Sequence, residues 1–106
     1  MKINAHIDNS AGEHHIALTT DGNVHSILIP PRPSGFGSSV NGGELLFLAL
    51  ATCYCNDIYR EAAKLNITVE RVEVEVKGDF GAAGEPAQNV SYRAQVHAKG
   101  TAEEIH

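Results

Sequence analysis

Apolar and polar residues alternate from the start of the chain. Ile3, Ala5 and Ile7 stand between Lys2, Asn4, His6 and Asp8, the period-two signature of a half-buried strand. Asn9-Ser10-Ala11-Gly12 supplies turn chemistry, and Ile16, Leu18 and Thr20 then resume the alternation up to Asp21-Gly22. That dipeptide marks a tight hairpin, because both of its residues tolerate positive φ. The return strand is expected from Val24 to Ile29, where Pro30-Pro31 stops it. Three strands in an antiparallel meander follow from this pattern.

Residues 30–43 are rich in Pro, Gly and Ser, a loop long enough to suggest a functional role or a plain connector. From Glu44 to about Leu65 the pattern turns helical. Its first half, Leu45 to Ala51, is apolar on every side, which predicts a helix buried all round. Its second half is amphipathic, and Asn66 is a plausible stop. Val72, Val74 and Val76 then alternate with Glu73, Glu75 and Lys77. After a turn over Gly81 to Pro86, Val90, Tyr92, Ala94, Val96 and Ala98 alternate with polar residues, giving the cleanest hairpin in the chain. Thr101-Ala102-Glu103-Glu104 has the Thr-x-x-Glu form of a capping box and predicts the start of another helix. The expected class is α+β, in the order β-β-β-α-β-β and then the start of a helix.

Composition narrows the function. At 106 residues the chain is one small domain, and with 6% aromatics and no Trp its core is aliphatic. A net charge of −5 with eight scattered Lys and Arg argues against nucleic acid, which calls for a basic stripe. No apolar run approaches the ~20 residues of a membrane span, and Met1-Lys2-Ile3-Asn4 lacks a signal-peptide apolar region. A cytoplasmic location is expected. The two cysteines, Cys53 and Cys55, cannot form a secreted disulfide framework and fit a reducing compartment. His14 and His15 are adjacent, so on a strand they face opposite sides. His6 and His25 converge only if their strands pair. No metal site is expected, and Gly35-Phe36-Gly37 is no phosphate fingerprint, so no cofactor is expected either.

The stretch that carries chemistry is Asn41-Gly42-Gly43-Glu44-Leu45-Leu46-Phe47-Leu48-Ala49-Leu50-Ala51-Thr52-Cys53, followed by Asp57 and a Val/Glu strand. With its Glu-Leu-Leu step, apolar Ala-bearing helix and cysteine at this spacing, the chain resembles the OsmC/Ohr superfamily over roughly residues 20–100. The resemblance implies an intertwined homodimer, in which antiparallel strands from both subunits wrap a long buried Cys-bearing helix. It implies a single OsmC-like domain over 1–106 that lacks the family's C-terminal helix and strand. It also implies reduction of organic hydroperoxides by a peroxidatic cysteine, in oxidative stress defence, with an Arg and a Glu holding the thiolate and usually a resolving cysteine in the family's second long helix, which the resemblance puts beyond His106.

On this resemblance Cys53 takes the peroxidatic position, where the thiolate is the nucleophile. The catalytic Glu of the Ohr-like branch falls on Gly43, and Glu44 stands one place later, as in the OsmC-like branch. No Arg occurs in the N-terminal strands, which leaves Arg32 in the loop as the substitute, and Phe36 as the residue expected to line an apolar pocket. Cys55 is the second thiol; positions two apart on a helix point about 200° from each other, so the two thiols are no ready redox pair. Asp57, one turn after Cys53, opposes a thiolate unless Arg60 neutralises it; a solvated Asp57–Arg60 pair is the simpler expectation. Two functions stay open. One is a thiol-dependent peroxidase acting through Cys53, Glu44 and Arg32. The other is a non-catalytic homodimer that binds a small apolar ligand, with Cys53 as a packing residue.

Overall fold

Local chemistry decides the first turns. Ser10 pairs with Glu13 across Ala11-Gly12, and Thr20 pairs with Asn23 across Asp21-Gly22. Asp21 (φ 47) and Gly22 (φ 83) are both left-handed, the type I′ geometry whose twist suits a two-residue hairpin. The structure, a computed structural model, describes residues 1–82, 84–99 and 101–105, the last five by backbone alone. The architecture is α+β, and the chain divides into two compact units, Met1–Asn41 and Gly42–His106.

The first unit is an antiparallel meander of β1 (Ile3–Ser10), β2 (Glu13–Thr20) and β3 (Asn23–His25), with β2 in the centre. Directly opposed residues share a face, so Ile3, Ala5, Ile7, Ile16 and Leu18 form one apolar side. β3 is shorter than the strand expected to Ile29. After three pairs with β2, the chain leaves the sheet to close a bracket, in which Pro31 bridges Ser38 and Ser39 N–H donates to Pro30 O at 2.9 Å. His6 lies opposite Ala17 and His25 opposite Leu18, whose own partner on β1 is Ala5. The two histidines therefore occupy opposite faces of the sheet and do not converge.

In the second unit, α1 (Gly42–Lys64) lies over a sheet of β4 (Val69–Phe80), β5 (Ala87–Ala98) and β6 (Thr101–Ile105), with β5 central. Asn41 precedes α1 at the N-cap position, where Asn is favoured. At the other end Asn66 takes φ 56, Ile67 N–H donates to Ala62 O at 2.9 Å and Asn66 N–H to Ala63 O at 3.2 Å. This is the Schellman arrangement, which satisfies carbonyls that the helix leaves open. Phe47, Ala51, Tyr54, Ile58 and Ala62 are half-buried at three- and four-residue spacing, as expected of the face laid on a sheet. The rings of Phe47 and Phe80 stand 5.5 Å apart, and those of Tyr54 and Tyr92 5.8 Å apart. A Cβ on Gly78 would meet the Phe47 ring at 3.0 Å and Gln88 O at 3.1 Å. Glycine lets helix and strand approach this closely.

Two expectations need correction. Thr101–Ile105 is strand, not the first turn of a helix: it pairs antiparallel with β5, Ala98 opposite Thr101 and Ala94 opposite Ile105. The open edge of β5 satisfies backbone groups of these residues through the ladder, and this pairing with a neighbouring strand prevails over the local capping pattern. Second, α1 has no buried residue. Leu46 and Leu48 are 47% and 53% exposed, because one sheet covers only one side of a helix. Among the described residues the buried hydrophobic ones are Ile29, Ala94 and Val96. No described helix is long and apolar enough to cross a membrane.

Candidate functional site

The second half of α1 carries both thiols, and helical geometry separates them. Cys53 is exposed and Cys55 half-buried, both free. Cys53 shares a shallow pocket with Leu50, Tyr54, Asp57 and Tyr92. Cys55 shares another with Ala51, Thr52, Asn56 and Val74. The expected divergence of the two side chains is thus seen as two different sets of neighbours. The wall of the Cys53 pocket is aliphatic and aromatic: Leu50 lies one turn before the cysteine, and Tyr92 reaches it from β5, where its register partner is Val76.

Charge on this side of the helix is paired. Arg60 Nη2 donates to Asp57 Oδ1 at 2.6 Å, and Arg60 Nε stands 3.8 Å from Glu61, which also takes Lys64 at 3.1 Å. The solvated i,i+3 pair expected of Asp57 and Arg60 is therefore present. Glu44 lies in the first turn of α1, where a carboxylate is favoured by the helix dipole. Arg32 and Phe36 belong to the first unit. Arg32 Nε reaches Ser38 O at 3.4 Å within the bracket, and the Phe36 ring is 70% exposed. Among the described residues, no group of three His, Cys, Asp or Glu could hold a metal ion.

Sequence reading missed Leu50, Tyr54 and Tyr92 as neighbours of Cys53. Alternation in β5 had already put Tyr92 on the inward face, but its place along the helix depends on the register of β4 with β5, which no local pattern displays.

A helix laid on an antiparallel sheet, with an exposed thiol above an aromatic floor, defines a small α+β protein with a candidate cysteine centre. The family model for OsmC-like proteins matches residues 35–106, and the chain belongs to that family. The match begins at residue 35, so β1, β2 and β3 fall outside it, although the resemblance read from the sequence began near residue 20. No curated protein and no solved structure gives a significant match.

Proposed function

We propose that this OsmC-like protein is a cytoplasmic homodimer that reduces organic hydroperoxides with the Cys53 thiol. The observation that carries the reading is an exposed thiol at an apolar pocket of Leu50, Tyr54 and Tyr92. Such a wall favours an alkyl or aryl hydroperoxide over a small polar one. The Cys53 thiolate attacks the outer peroxide oxygen and the O–O bond breaks. The products are a cysteine sulfenic acid and, once the leaving alkoxide takes a proton, an alcohol. Two equivalents of an external thiol then return the sulfenic acid to thiol, with release of water and a disulfide. Cys55, in its own pocket, is not positioned on the same helix to resolve Cys53. Glu44 and Arg32 are the residues offered for orientation and charge.

The homodimer is supported by exposed leucines on α1 and by the scarcity of buried residues among those described in one chain. A second copy laid on this face would supply the missing cover. The test is consumption of an alkyl hydroperoxide with a small dithiol as reductant. Activity lost in Cys53→Ser and kept in Cys55→Ser supports the reading; equal rates for Cys53→Ser and wild type overturn it.

One observation favours the other function, a non-catalytic homodimer that binds a small apolar ligand. The charge sharing the pocket with Cys53 is the Asp57 carboxylate, and the Arg60 guanidinium is engaged by it and by Glu61. Thiolate chemistry calls for a cation beside the sulfur. Under this reading the Cys53→Ser variant binds an apolar probe as well as wild type does, and neither consumes peroxide.

A further inference from the structure

The bracket of residues 30–39 is tied to the β1–β2 hairpin by one side chain, Asn9. Gly37 N–H donates to Asn9 Oδ1 at 2.9 Å, and Asn9 Nδ2 donates to Gly37 O at 3.1 Å. A backbone N–H only donates and a carbonyl only accepts, so these two bonds fix which end of the amide is oxygen. The second hydrogen of Nδ2 then points at His14 Nδ1, 2.9 Å away. Asn9 and His14 are direct partners in the β1–β2 ladder. Because a donor faces it, Nδ1 must accept. The imidazole in this arrangement is neutral, with its hydrogen on Nε2.

We infer that Asn9 and His14 form a pH-sensitive clasp, which holds the Pro30–Ser39 bracket at Gly37 while His14 is neutral and loosens it when His14 is protonated. A proton on Nδ1 sets two donors against each other at 2.9 Å. Turning the Asn9 amide over to accept from His14 would break both Gly37 bonds, so either response costs the clasp hydrogen bonds. A further tie between hairpin and bracket is Gly12 N–H to Gly35 O, at a longer 3.3 Å.

The surroundings of His14 offer an imidazolium little compensation. On its face of the hairpin stand Asn9 and the apolar Ile7 and Ile16. Asp8, Glu13 and His15 lie on the other face, where Glu13 and His15 are 3.7 Å apart. The charged group contributed by the bracket is Arg32, whose side chain passes 3.2 Å from the Cβ position of Gly37, and a cation there does not welcome a second. The bracket carries Arg32 and Phe36, so acidification would loosen the attachment of the segment that bears both. This holds whether or not Cys53 reacts with peroxides.

The test uses the full chain labelled with ¹⁵N. Long-range imidazole spectra of the neutral form should show the His14 hydrogen on Nε2 alone. Hydrogen exchange at the Gly37 amide, corrected for the intrinsic pH dependence of exchange, should lose about three- to tenfold of its protection as His14 titrates. The loss should vanish in His14→Phe. It should reverse in Asn9→Asp, where a carboxylate accepts from both Gly37 N–H and an imidazolium. A hydrogen on Nδ1 in the neutral wild type overturns the clasp, as does a pH response that persists in His14→Phe. The tautomer measurement needs no variant, so the idea stays testable even if Asn9→Asp fails to fold.

Discussion

Replacing Leu48 by Ala tests the cover proposed for α1. Complete burial of a leucine side chain contributes about 1.5–3 kcal/mol. Leu48 is 53% exposed in the single chain, so roughly half of that contribution, about 1 kcal/mol, remains to be gained when a second copy covers it. A twofold interface contains the residue twice. The substitution should therefore weaken the dimer by about 2 kcal/mol, or roughly 30-fold in Kd. Sedimentation equilibrium across the micromolar range reads this directly, with Glu75→Gln on the outer face of β4 as the control that should leave Kd unchanged. A wild-type chain that stays monomeric and well folded at micromolar concentration refutes the reasoning. So does a Leu48→Ala dimer as tight as the wild type. Leu48→Glu is the harsher form: a charge in the interface should leave little folded protein, because so few side chains are buried within one chain.

Other expectations follow from single contacts. Cys53 should be alkylated faster than Cys55 by a small neutral reagent, since the first thiol is exposed and the second half-buried; peptide mapping after brief labelling gives the ratio. Gly78→Ala should cost about 1–3 kcal/mol by overpacking, as the new methyl meets the Phe47 ring and the Gln88 carbonyl; urea melts would show it, and an additional Phe47→Leu should recover part of the loss. Asn66→Ala should cost about 1 kcal/mol for a left-handed residue with a Cβ, while Asn66→Gly should be close to neutral in the same assay.

The parts of the fold legible in the sequence are those that local chemistry decides. Asp21-Gly22 demanded a hairpin, Asn66 ended the helix, and alternation over 72–76 and 90–98 fixed which residues of β4 and β5 face inward. What escaped reading was decided between distant segments. Thr101-Ala102-Glu103-Glu104 has a locally consistent capping pattern, but it carries no record of the open β5 edge that claims those residues. β3 ends at His25 because the bracket draws the chain away, through a Gly37–Asn9 contact spanning 28 residues. The all-apolar run Leu45–Ala51 predicted a helix buried all round, whereas α1 has no buried residue in the single chain. No local pattern shows that the sheet of one chain covers one side only.

The site shows the same division. Helical spacing alone separated Cys53 from Cys55 and brought Asp57 and Arg60 within reach of each other. The remaining neighbours of Cys53 came from tertiary register. Their placement sharpens the choice between the two functions, because Leu50, Tyr54 and Tyr92 suit an apolar molecule whether it reacts or merely binds. The discriminating element is charge. Asp57 borders the Cys53 pocket and holds Arg60 at 2.6 Å, so that guanidinium is not at the disposal of the sulfur. Replacing Asp57 by Asn removes the carboxylate and breaks the 2.6 Å pair, leaving Arg60 only the looser 3.8 Å contact to Glu61; Arg60 lies seven residues from Cys53 and hence on nearly the same side of the helix. If Cys53 is a peroxidatic thiol restrained by that carboxylate, Asp57→Asn should raise the rate of peroxide consumption several-fold, and Asp57→Asn with Arg60→Gln should lose most of the gain. If the pocket only binds, both variants stay as inactive toward peroxide as Cys53→Ser, and affinity for an apolar probe changes little. A fall in peroxide turnover on Asp57→Asn would contradict both accounts and make the carboxylate itself part of the chemistry.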